Sequence, residues 1–263
     1  MKPNKLAGVF LLCAVCILAL APLASGQQKK PQLYFIEDYV IKPSMAAAYE
    51  ATHKDLITTV FQPYNWSWPL QTFVSEDFHY YLVYPIASLT DLDNAFGVFS
   101  GILGKVGEPK WDALNRKIGD ATEYYKQGTF TFSPELSYIP EKPRLKPEEE
   151  KFIYWGFCYV MPGKEKDFEA HFKKIVELCK SKKLTIQFST FVGGIGTDAP
   201  FYFYSEYGRT IADFFMTAEK TDKILGPEIT DIWNKVLSTL RKFEFKTGFF
   251  RPDLSYAPAT KVQ

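Results

Sequence analysis

Few residues of this sequence are suited to acid–base chemistry, and they lie inside predicted strands. Glu37 and Asp38 are neighbours in a strand near the N-terminus, and Glu206 lies in a strand of the second half. Because successive side chains of a strand point to opposite faces, we expect one of Glu37 and Asp38 to face the interior of the fold. A carboxylate enclosed there could act as a general base or anchor a ligand, whereas at a rim it would lie in water or pair with lysine. Glu37 and Asp38 are therefore candidate catalytic residues, and Glu206 is a candidate ligand contact.

The sequence contains three histidines, and they differ in their predicted surroundings. His79 shares a strand face with Tyr81, so it is the histidine most suited to point into a shared interior, and it joins the catalytic candidates. His53 follows Tyr49 by four residues on the apolar stripe of a predicted helix, which indicates a structural role. His171 lies at the flank of a second helix and could reach a rim or an interface.

The predicted strands are rich in tyrosine, which has an apolar ring and a polar hydroxyl. Such side chains around a cavity would suit an aromatic ligand or one of mixed polarity, and Tyr81 is our candidate contact among them. The alternative is that tyrosine is frequent in strands for its propensity alone, with half of these rings facing solvent or helices. The tyrosines in predicted strands are Tyr34, Tyr39, Tyr80, Tyr81, Tyr84, Tyr154, Tyr159, Tyr202, Tyr204 and Tyr207.

One connector between a helix and a strand is unusually aromatic. It contains Tyr64, Trp66 and Trp68, where the second half has the polar stretch at residues 181–184. The aromatic residues either cap the fold by packing or contact a ligand or partner, and Trp66 and Trp68 are candidate ligand-binding residues.

Signatures of metal sites and of nucleophilic catalysis are missing from the sequence. The three histidines form no HxH or HxxxH pair, there is no GxSxG, and the glycines at 193–196 join two strands instead of preceding a helix. Cys158 and Cys179, on a strand and the next helix, are expected to be buried thiols. We therefore predict no bound metal and no cofactor.

The N-terminus predicts export. Lys2 and Lys5 precede an apolar run over residues 6–20, and small residues precede Gln27, as in a secretory signal peptide cleaved after Gly26. No other long apolar run follows, so we expect a periplasmic or extracellular protein that has no membrane contact after cleavage. The 31 basic and 30 acidic residues nearly balance, which argues against a nucleic-acid partner.

The rest of the chain contains an internal repeat of two similar halves. Residues 132–138 (FSPELSY) and 250–256 (FRPDLSY) share five of seven positions, and further matches keep a spacing of 119 residues. A Pro- and charge-rich stretch at 140–150 predicts a stiff, solvated linker. The sequence therefore predicts a signal peptide at 1–26, one unit at 32–139, the linker at 140–150 and a second unit at 151–257.

Each unit has the predicted element order β-α-β-β-α-β, with helical stretches across residues 89–125 in the first unit and the last strand of the second unit at residues 243–250. Such a unit is a four-stranded antiparallel sheet with helices on one face, so its other face needs cover. Two units in one chain can cover each other and enclose a shared core or cavity. The predicted fold class is α+β, with two tandem ferredoxin-like βαββαβ units packed sheet to sheet as an intrachain pseudo-dimeric α/β barrel.

The aromatic first strands at 34–40 and 154–160, the helix motifs Tyr49-Glu50-Ala51 and Phe168-Glu169-Ala170, and the strands at Phe78 and Phe201 resemble the dimeric α/β-barrel superfamily in tandem form. Within it the chain is similar to antibiotic-biosynthesis-monooxygenase-like and NIPSNAP-like domains. The resemblance implies fold and not activity, because the superfamily includes cofactor-free monooxygenases, haem-binding proteins and small-ligand binders. Its exported chlorite-dismutase-like members make His171 a conceivable haem ligand.

Our leading hypothesis is an exported protein that binds a small organic ligand in a tyrosine-lined cavity between the units. One alternative is a cofactor-independent monooxygenase-like enzyme in which a carboxylate or His79 takes a proton from the substrate. Others are a structural or protein-interaction pseudo-dimer and a haem-binding protein, and a homo-oligomer is compatible with each of them.

Overall fold

The computed structural model describes residues 30–258, so the predicted signal peptide lies outside the described residues. The first half contains β1 (Leu33–Ile41), α1 (Ala46–Leu56), β2 (Gln71–Ser75), β3 (His79–Ile86), α2 (Leu89–Val106), α3 (Glu108–Ala121) and β4 (Thr122–Phe132). The second half contains β5 (Phe152–Val160), α4 (Glu165–Ser181), β6 (Phe188–Gly193), β7 (Phe201–Gly208), α5 (Ile211–Leu225), α6 (Pro227–Leu237) and β8 (Leu240–Phe250). The two halves therefore have the same order of elements.

The eight strands form one closed antiparallel barrel in the order β1-β3-β2-β8-β5-β7-β6-β4. Each half supplies four adjacent strands, and the two sheets join where β2 pairs with β8 and β4 pairs with β6. The predicted pair of ferredoxin-like units in an intrachain pseudo-dimeric α/β barrel is confirmed. Closure matters physically because it leaves neither sheet with a bare face and encloses a common interior.

Capping residues and glycines mark the ends of helices at equivalent positions in the two halves. Ser88 caps α2 and Thr210 caps α5, each by accepting a hydrogen bond from the backbone N–H three residues on. Gly107 and Gly226 separate the paired helices with φ of 89° and 68°, a region that side-chain-bearing residues rarely adopt. These residues turn the chain between α2 and α3 and between α5 and α6.

The sequence motif at residues 250–256 binds across to the first half. Tyr256 and Leu70 exchange two backbone hydrogen bonds of 2.8 Å each. The Thr72 hydroxyl donates to the Leu254 carbonyl over 2.6 Å, and Ser255 Oγ accepts from the Thr72 N–H. We call residues 250–256 the C-terminal strap.

The matching motif at residues 132–138 binds the second half in the same way, and we call it the central strap. Tyr138 and Phe188 exchange backbone hydrogen bonds of 3.0 and 2.9 Å. The Thr190 hydroxyl donates to the Leu136 carbonyl over 2.6 Å, and Ser137 Oγ accepts from the Thr190 N–H. Each strap forms hydrogen bonds with the opposite unit. The motif that is most similar in the two halves therefore connects them.

Residues 140–150 differ from the solvated linker that we predicted. Leu145 is buried, and Arg144 lies 2.9 Å from a carboxylate oxygen of Asp213 while also donating to the Tyr207 carbonyl. The segment therefore packs onto the second unit, because one apolar and one paired basic side chain anchor it.

Strands β4 and β8 begin earlier than predicted. Helical structure was expected through residue 125, yet β4 starts at Thr122, and β8 starts at Leu240 instead of residue 243. The early parts of both strands pair with the ends of β1 and β5, where Tyr39 lies opposite Tyr125. This long-range pairing outweighs the local helical pattern.

Cys158 on β5 and Cys179 on α4 are free and buried, as predicted. Burial raises the pKa of both thiols to about 12, so they stay protonated at neutral pH. Within residues 30–258, no helix combines the length and apolar character required to cross a membrane.

Candidate functional site

The barrel encloses a cavity of about 740 Å³. Alternation along the strands decides its lining, since every second side chain of β1, β3, β5 and β7 faces inward. Aromatic rings dominate its middle and include Phe73, Tyr81, Phe130, Trp155, Phe157, Phe191, Phe201 and Phe203. The interior is therefore an aromatic chamber of the size that small-molecule sites have.

Asp38 and His79 form a pair at one end of this chamber. The His79 Nδ1 atom lies 2.7 Å and 3.0 Å from the two carboxylate oxygens of Asp38. Their side chains are only 22% and 15% exposed. In the neutral ring, Nδ1 carries the proton and donates a hydrogen bond to the Asp38 carboxylate. The lone pair is then on Nε2, which can accept a proton. Two of the three predicted catalytic candidates are thus brought together.

A second carboxylate stands on the other side of the His79 ring. Asp77 Oδ2 lies 3.7 Å from His79 Nε2 and 2.5 Å from Lys246 Nζ on β8. Burial by itself would raise the pKa of Asp77, but hydrogen bonds from Lys246 and Ser75 outweigh it and keep that pKa below its usual value. Asp77 is therefore ionised at neutral pH, and it would stabilise a positive charge on His79.

The turn that presents Asp77 and His79 is strained. Phe78, between them, has a φ of 64°, which a bulky side chain seldom adopts. Ser75 Oγ restrains the turn by donating to Asp77 Oδ1 over 2.5 Å and accepting from the His79 N–H over 3.2 Å. Such outliers persist where surrounding contacts hold them and are concentrated at functional sites.

Tyr81 extends the polar end into the aromatic chamber. Its ring stacks on His79 at 5.8 Å between centroids and meets Trp155 edge-on at 5.4 Å. Burial raises the pKa of Tyr81, and the nearby Asp38 carboxylate adds to this, so the hydroxyl stays protonated. Tyr81 lies where it was predicted, in the cavity wall.

Lysines surround the end of the cavity that holds Asp38. Lys126 lies opposite Asp38 in the pairing of β1 with β4, and Lys242 lies opposite Tyr159 on β5. Lys242 is bound to Glu244 at 2.8 Å, whereas Lys126 stands over the ring of Tyr124 at 5.9 Å. Because the lining also contains Asp38 and Glu244, this mouth combines positive and negative side chains and suits a strongly polar group.

Hydroxyl groups line the other end of the chamber, and Lys30, which precedes β1, also belongs to the cavity lining. The Tyr207 hydroxyl and Ser205 Oγ lie 3.0 Å apart, and Tyr34 and Ser189 line the same region. Burial raises the pKa of Tyr207, so it remains a neutral donor and acceptor. A ligand in the chamber would thus meet the Asp38–His79 pair at one end, and hydroxyl groups with Lys30 at the other.

Glu37 does not line the barrel cavity. It points to the helical side of β1, where Gln127 Nε2 donates to its carboxylate over 2.7 Å. Burial raises its pKa, and the hydrogen bonds from Gln127 and Tyr84 oppose that shift. Alternation in β1 makes this unavoidable once Asp38 faces inward.

Trp66 and Trp68 do not line the barrel cavity either. Trp66 is 6% exposed, stacks on Phe61 at 5.6 Å and meets Phe99 at 5.5 Å. Its backbone carbonyl accepts a hydrogen bond from the Tyr256 hydroxyl of the C-terminal strap. The connector therefore packs under α2, because its rings fill the space between the sheet and the helices of the first unit.

Glu206 lies outside the barrel, on the helical side of the second unit. Inward positions of β7 belong to Phe203, Ser205 and Tyr207, so Glu206 faces α4, α5 and α6. It borders a second cavity of about 680 Å³ there. Burial raises the pKa of Glu206 to about 7, and repulsion from Asp222 adds to this.

The remaining histidines stand apart from both cavities. His53 is buried and its Nε2 lies 3.0 Å from the Leu254 carbonyl, which fits the predicted structural role. His171 borders neither cavity, and within residues 30–258 its buried Nδ1 has no hydrogen-bond partner. His171, the haem ligand that the resemblance suggested, is therefore not placed to bind a haem in either cavity. Among residues 30–258, no group of three or more His, Cys, Asp or Glu could hold a metal ion.

Sequence reasoning missed Asp77, Lys246 and Trp155. Asp77 sits two residues before His79 at a hairpin turn, which was a usable signal for a neighbouring charge. Lys246 and Trp155 come from the second unit and carry no local signal that relates them to His79.

Comparison with solved structures found likeness in fold at low sequence identity. The anthrone oxidase-like protein aligns with a TM-score of 0.57 at 10% identity, over 85% of this chain and 93% of that one. A proposed monooxygenase from Fusobacterium nucleatum aligns with a TM-score of 0.51 at 12% identity, over 84% and 92% of the two chains. A proposed monooxygenase from Lactobacillus acidophilus NCFM gives 0.50 at 8% identity, over 87% and 97%.

No protein-family model matches the sequence, and no curated protein matches it. At identities of 8 to 12% the structural likeness concerns the fold alone.

Proposed function

We propose that this chain, which has the dimeric α/β-barrel fold in a single-chain, pseudo-dimeric form, binds a small aromatic molecule in its barrel and accepts a proton from it at His79. The observation that carries the proposal is the Asp38–His79 pair, with 2.7 Å between Oδ1 and Nδ1, at the end of an aromatic chamber. The fold does not require an Asp–His pair at the wall of a cavity, whereas general base catalysis is well served by one.

The chamber supports an elongated aromatic ligand. Tyr34 and Asp38 mark its two ends on β1, and four residues of strand span on the order of 13 Å. Between them the ligand would contact ring faces and edges, which favour aromatic partners. A hydroxyl of the ligand at the Asp38 end would reach His79 Nε2, and Asp77 would stabilise the resulting imidazolium.

The proposal can be tested with alizarin, a hydroxyanthraquinone whose colour reports its ionisation. We expect it to bind one molecule per chain, to quench Trp155 fluorescence, and to ionise at lower pH when bound than when free. His79→Gln should leave the bound dye neutral, because glutamine offers no proton acceptor of this strength, whereas His171→Gln should behave as the wild type. Equal ionisation of the bound dye in both histidine variants would contradict the proposal. Fluorescence quenching that is as large in Trp155→Phe as in the wild type would contradict it too.

A second candidate function is oxidation of the bound ligand by O₂ without a cofactor. The same His79 geometry favours it, and two of the similar structures are proposed monooxygenases while a third is described as anthrone oxidase-like. His79 would take a proton from a ligand CH₂ group, and the carbanion would reduce O₂. One oxygen atom would enter the product as a carbonyl and the other would leave as water. Oxygen uptake with anthrone, lost in His79→Gln and retained in His171→Gln, is the expected result.

We further propose that the protein acts after export and can form homo-oligomers. Support for export comes from the N-terminal sequence pattern alone. The mass of the protein secreted by its host should correspond to a chain that begins at Gln27, and light scattering of that mature protein should report its oligomeric state.

A further inference from the structure

The second cavity lies between the outer face of the second unit's sheet and helices α4, α5 and α6. Its walls are mainly aromatic, with Tyr204 meeting Trp233 edge-on at 6.2 Å and Tyr154 stacking on Phe214 at 5.4 Å. Phe243 completes this side at 5.6 Å from Trp233. The volume of about 680 Å³ is close to that of the barrel chamber.

Glu206 is an acidic side chain that borders this cavity. It is half-buried, and no residue within 30–258 forms a hydrogen bond with its carboxylate. Desolvation with no hydrogen bond to offset it makes the ionised carboxylate costly, which is why the pKa of Glu206 is raised to about 7. A ligand in the cavity could reach this carboxylate directly.

Acidic side chains outnumber basic ones in the described lining of this cavity. Asp222 on α5 adds a second carboxylate to the lining. Arg144 is the basic side chain of the described lining, and it is engaged at 2.9 Å by Asp213. A positively charged ligand would therefore find attraction and no competing cation.

The first unit shows that this space is not a requirement of the fold. There the rings of Trp66, Phe99 and Trp111 fill the region between sheet and helices, with centroid distances of 5.5 and 5.4 Å. Its buried carboxylate, Glu37, is satisfied by Gln127 at 2.7 Å. In the second unit, by contrast, the carboxylate of Glu206 has no hydrogen-bond partner within residues 30–258 and borders a cavity.

We propose that the helix-side cavity of the second unit binds a small organic cation, a substituted ammonium, with Glu206 as counter-ion and Tyr154, Tyr204 and Trp233 as the aromatic walls. Aromatic faces attract cations, and a quaternary ammonium needs no hydrogen bond from its site. Ionised Glu206 would supply the remaining attraction in a region of low dielectric constant.

Binding should depend on pH through Glu206. The other titratable or charged groups that face it are Asp222 on α5, the protonated Cys179 on α4, the neutral Tyr154 and Tyr204, and Arg144 at the rim. Because Glu206 ionises near pH 7, the affinity for a cation should rise about ten-fold between pH 6 and pH 8.

The experiment is calorimetric titration with benzyltrimethylammonium, and with the matched pair choline and 3,3-dimethylbutan-1-ol, in which carbon replaces the charged nitrogen. We expect benzyltrimethylammonium and choline to bind more tightly at pH 8 than at pH 6, and the neutral alcohol to bind weakly at both. Glu206→Gln should weaken cation binding at least ten-fold at pH 8. His79→Gln should leave it unchanged, which separates this site from the barrel chamber.

Trp233→Leu serves as a second variant that removes a wall without altering charge, and it should also weaken binding. Absence of benzyltrimethylammonium binding at pH 8 would overturn the proposal, as would equal binding of choline and its neutral analogue. Loss of binding in His79→Gln with retention in Glu206→Gln would place the cation in the barrel and overturn it as well.

Discussion

Tyr256 of the second unit and Leu70 of the first exchange two backbone hydrogen bonds of 2.8 Å, so the end of one unit forms part of the other. Tyr138 and Phe188 make the reciprocal contact. This relationship explains why residues 132–138 and 250–256 are so similar, since each has to fit the same acceptor site. It also makes the stability of each unit depend on the strap that arrives from its neighbour.

The straps predict a stability effect for Thr72 and Thr190. Replacing either with valine leaves the strap carbonyl of Leu254 or Leu136 without its 2.6 Å hydroxyl donor, so the free energy of unfolding should fall by about 1–3 kcal/mol. Denaturant unfolding measures this. Thr58→Val, whose hydroxyl is solvent-exposed on the helical segment after α1, is the matched control and should change it by less than about 0.5 kcal/mol.

His53 predicts a loss of stability in acid. Burial lowers its pKa to about 4, while the unfolded side chain titrates near 6.5, so below pH 6.5 the unfolded chain binds a proton that the folded chain does not. The free energy of unfolding should therefore fall by about 3 kcal/mol from this residue as the pH drops from 6.5 to 4. In His53→Gln the free energy of unfolding should lose this dependence on pH, whereas His171→Gln should retain it. The same pH dependence in the wild type and in both variants would contradict the assignment to His53.

Glu206 predicts the opposite trend. Its folded pKa of about 7 exceeds the unfolded value of 4.5, so between these values the folded chain holds a proton that the unfolded chain has released. Stability from this residue is present below pH 4.5 and falls by up to about 3 kcal/mol as the pH rises through 7. Glu206→Gln should become increasingly more stable than the wild type from pH 5 to pH 8 in thermal unfolding. Glu177→Gln, at an exposed position on α4, should show a constant difference.

Gly156 predicts a steric effect on the second cavity. A Cβ atom at this position would lie 2.3 Å from the ring of Tyr204, which forms part of the cavity wall. Gly156→Ala should therefore destabilise the protein by about 1–3 kcal/mol through overpacking. Gly101→Ala, in α2 with open space around it, should instead stabilise the protein by roughly 0.5–1 kcal/mol. A neutral Gly156→Ala variant would show that Tyr204 moves freely.

Much of the fold could be predicted because its signals are local. The strand and helix patterns of each half, the glycines at 107 and 226 and the two strap motifs all lie within short stretches of sequence. The repeat then implied two units with a shared interior. Local signals failed where pairing between distant strands decided the outcome, as at the starts of β4 and β8.

The candidate site could be predicted only in part. Alternation required that one of Glu37 and Asp38 face inward, but a shift of one residue would exchange them, and both strand faces are aromatic enough to be buried. The same ambiguity applied to Glu206, whose strand has aromatic residues on both sides. Trp66 and Trp68 were candidate ligand contacts with packing as the alternative, and the choice between the two depended on the space beneath α2, which the sequence does not show.

The sequence by itself determined the element order, the doubling of the unit and the set of residues able to do chemistry, because these depend on residue type and short-range spacing. Only the tertiary structure decided that Asp38 meets His79, that Lys246 reaches Asp77 across 169 residues, and that Glu206 belongs to a different cavity. The physical reason is barrel closure, which sets the register between strands far apart in the chain and thereby chooses the face on which each side chain lies.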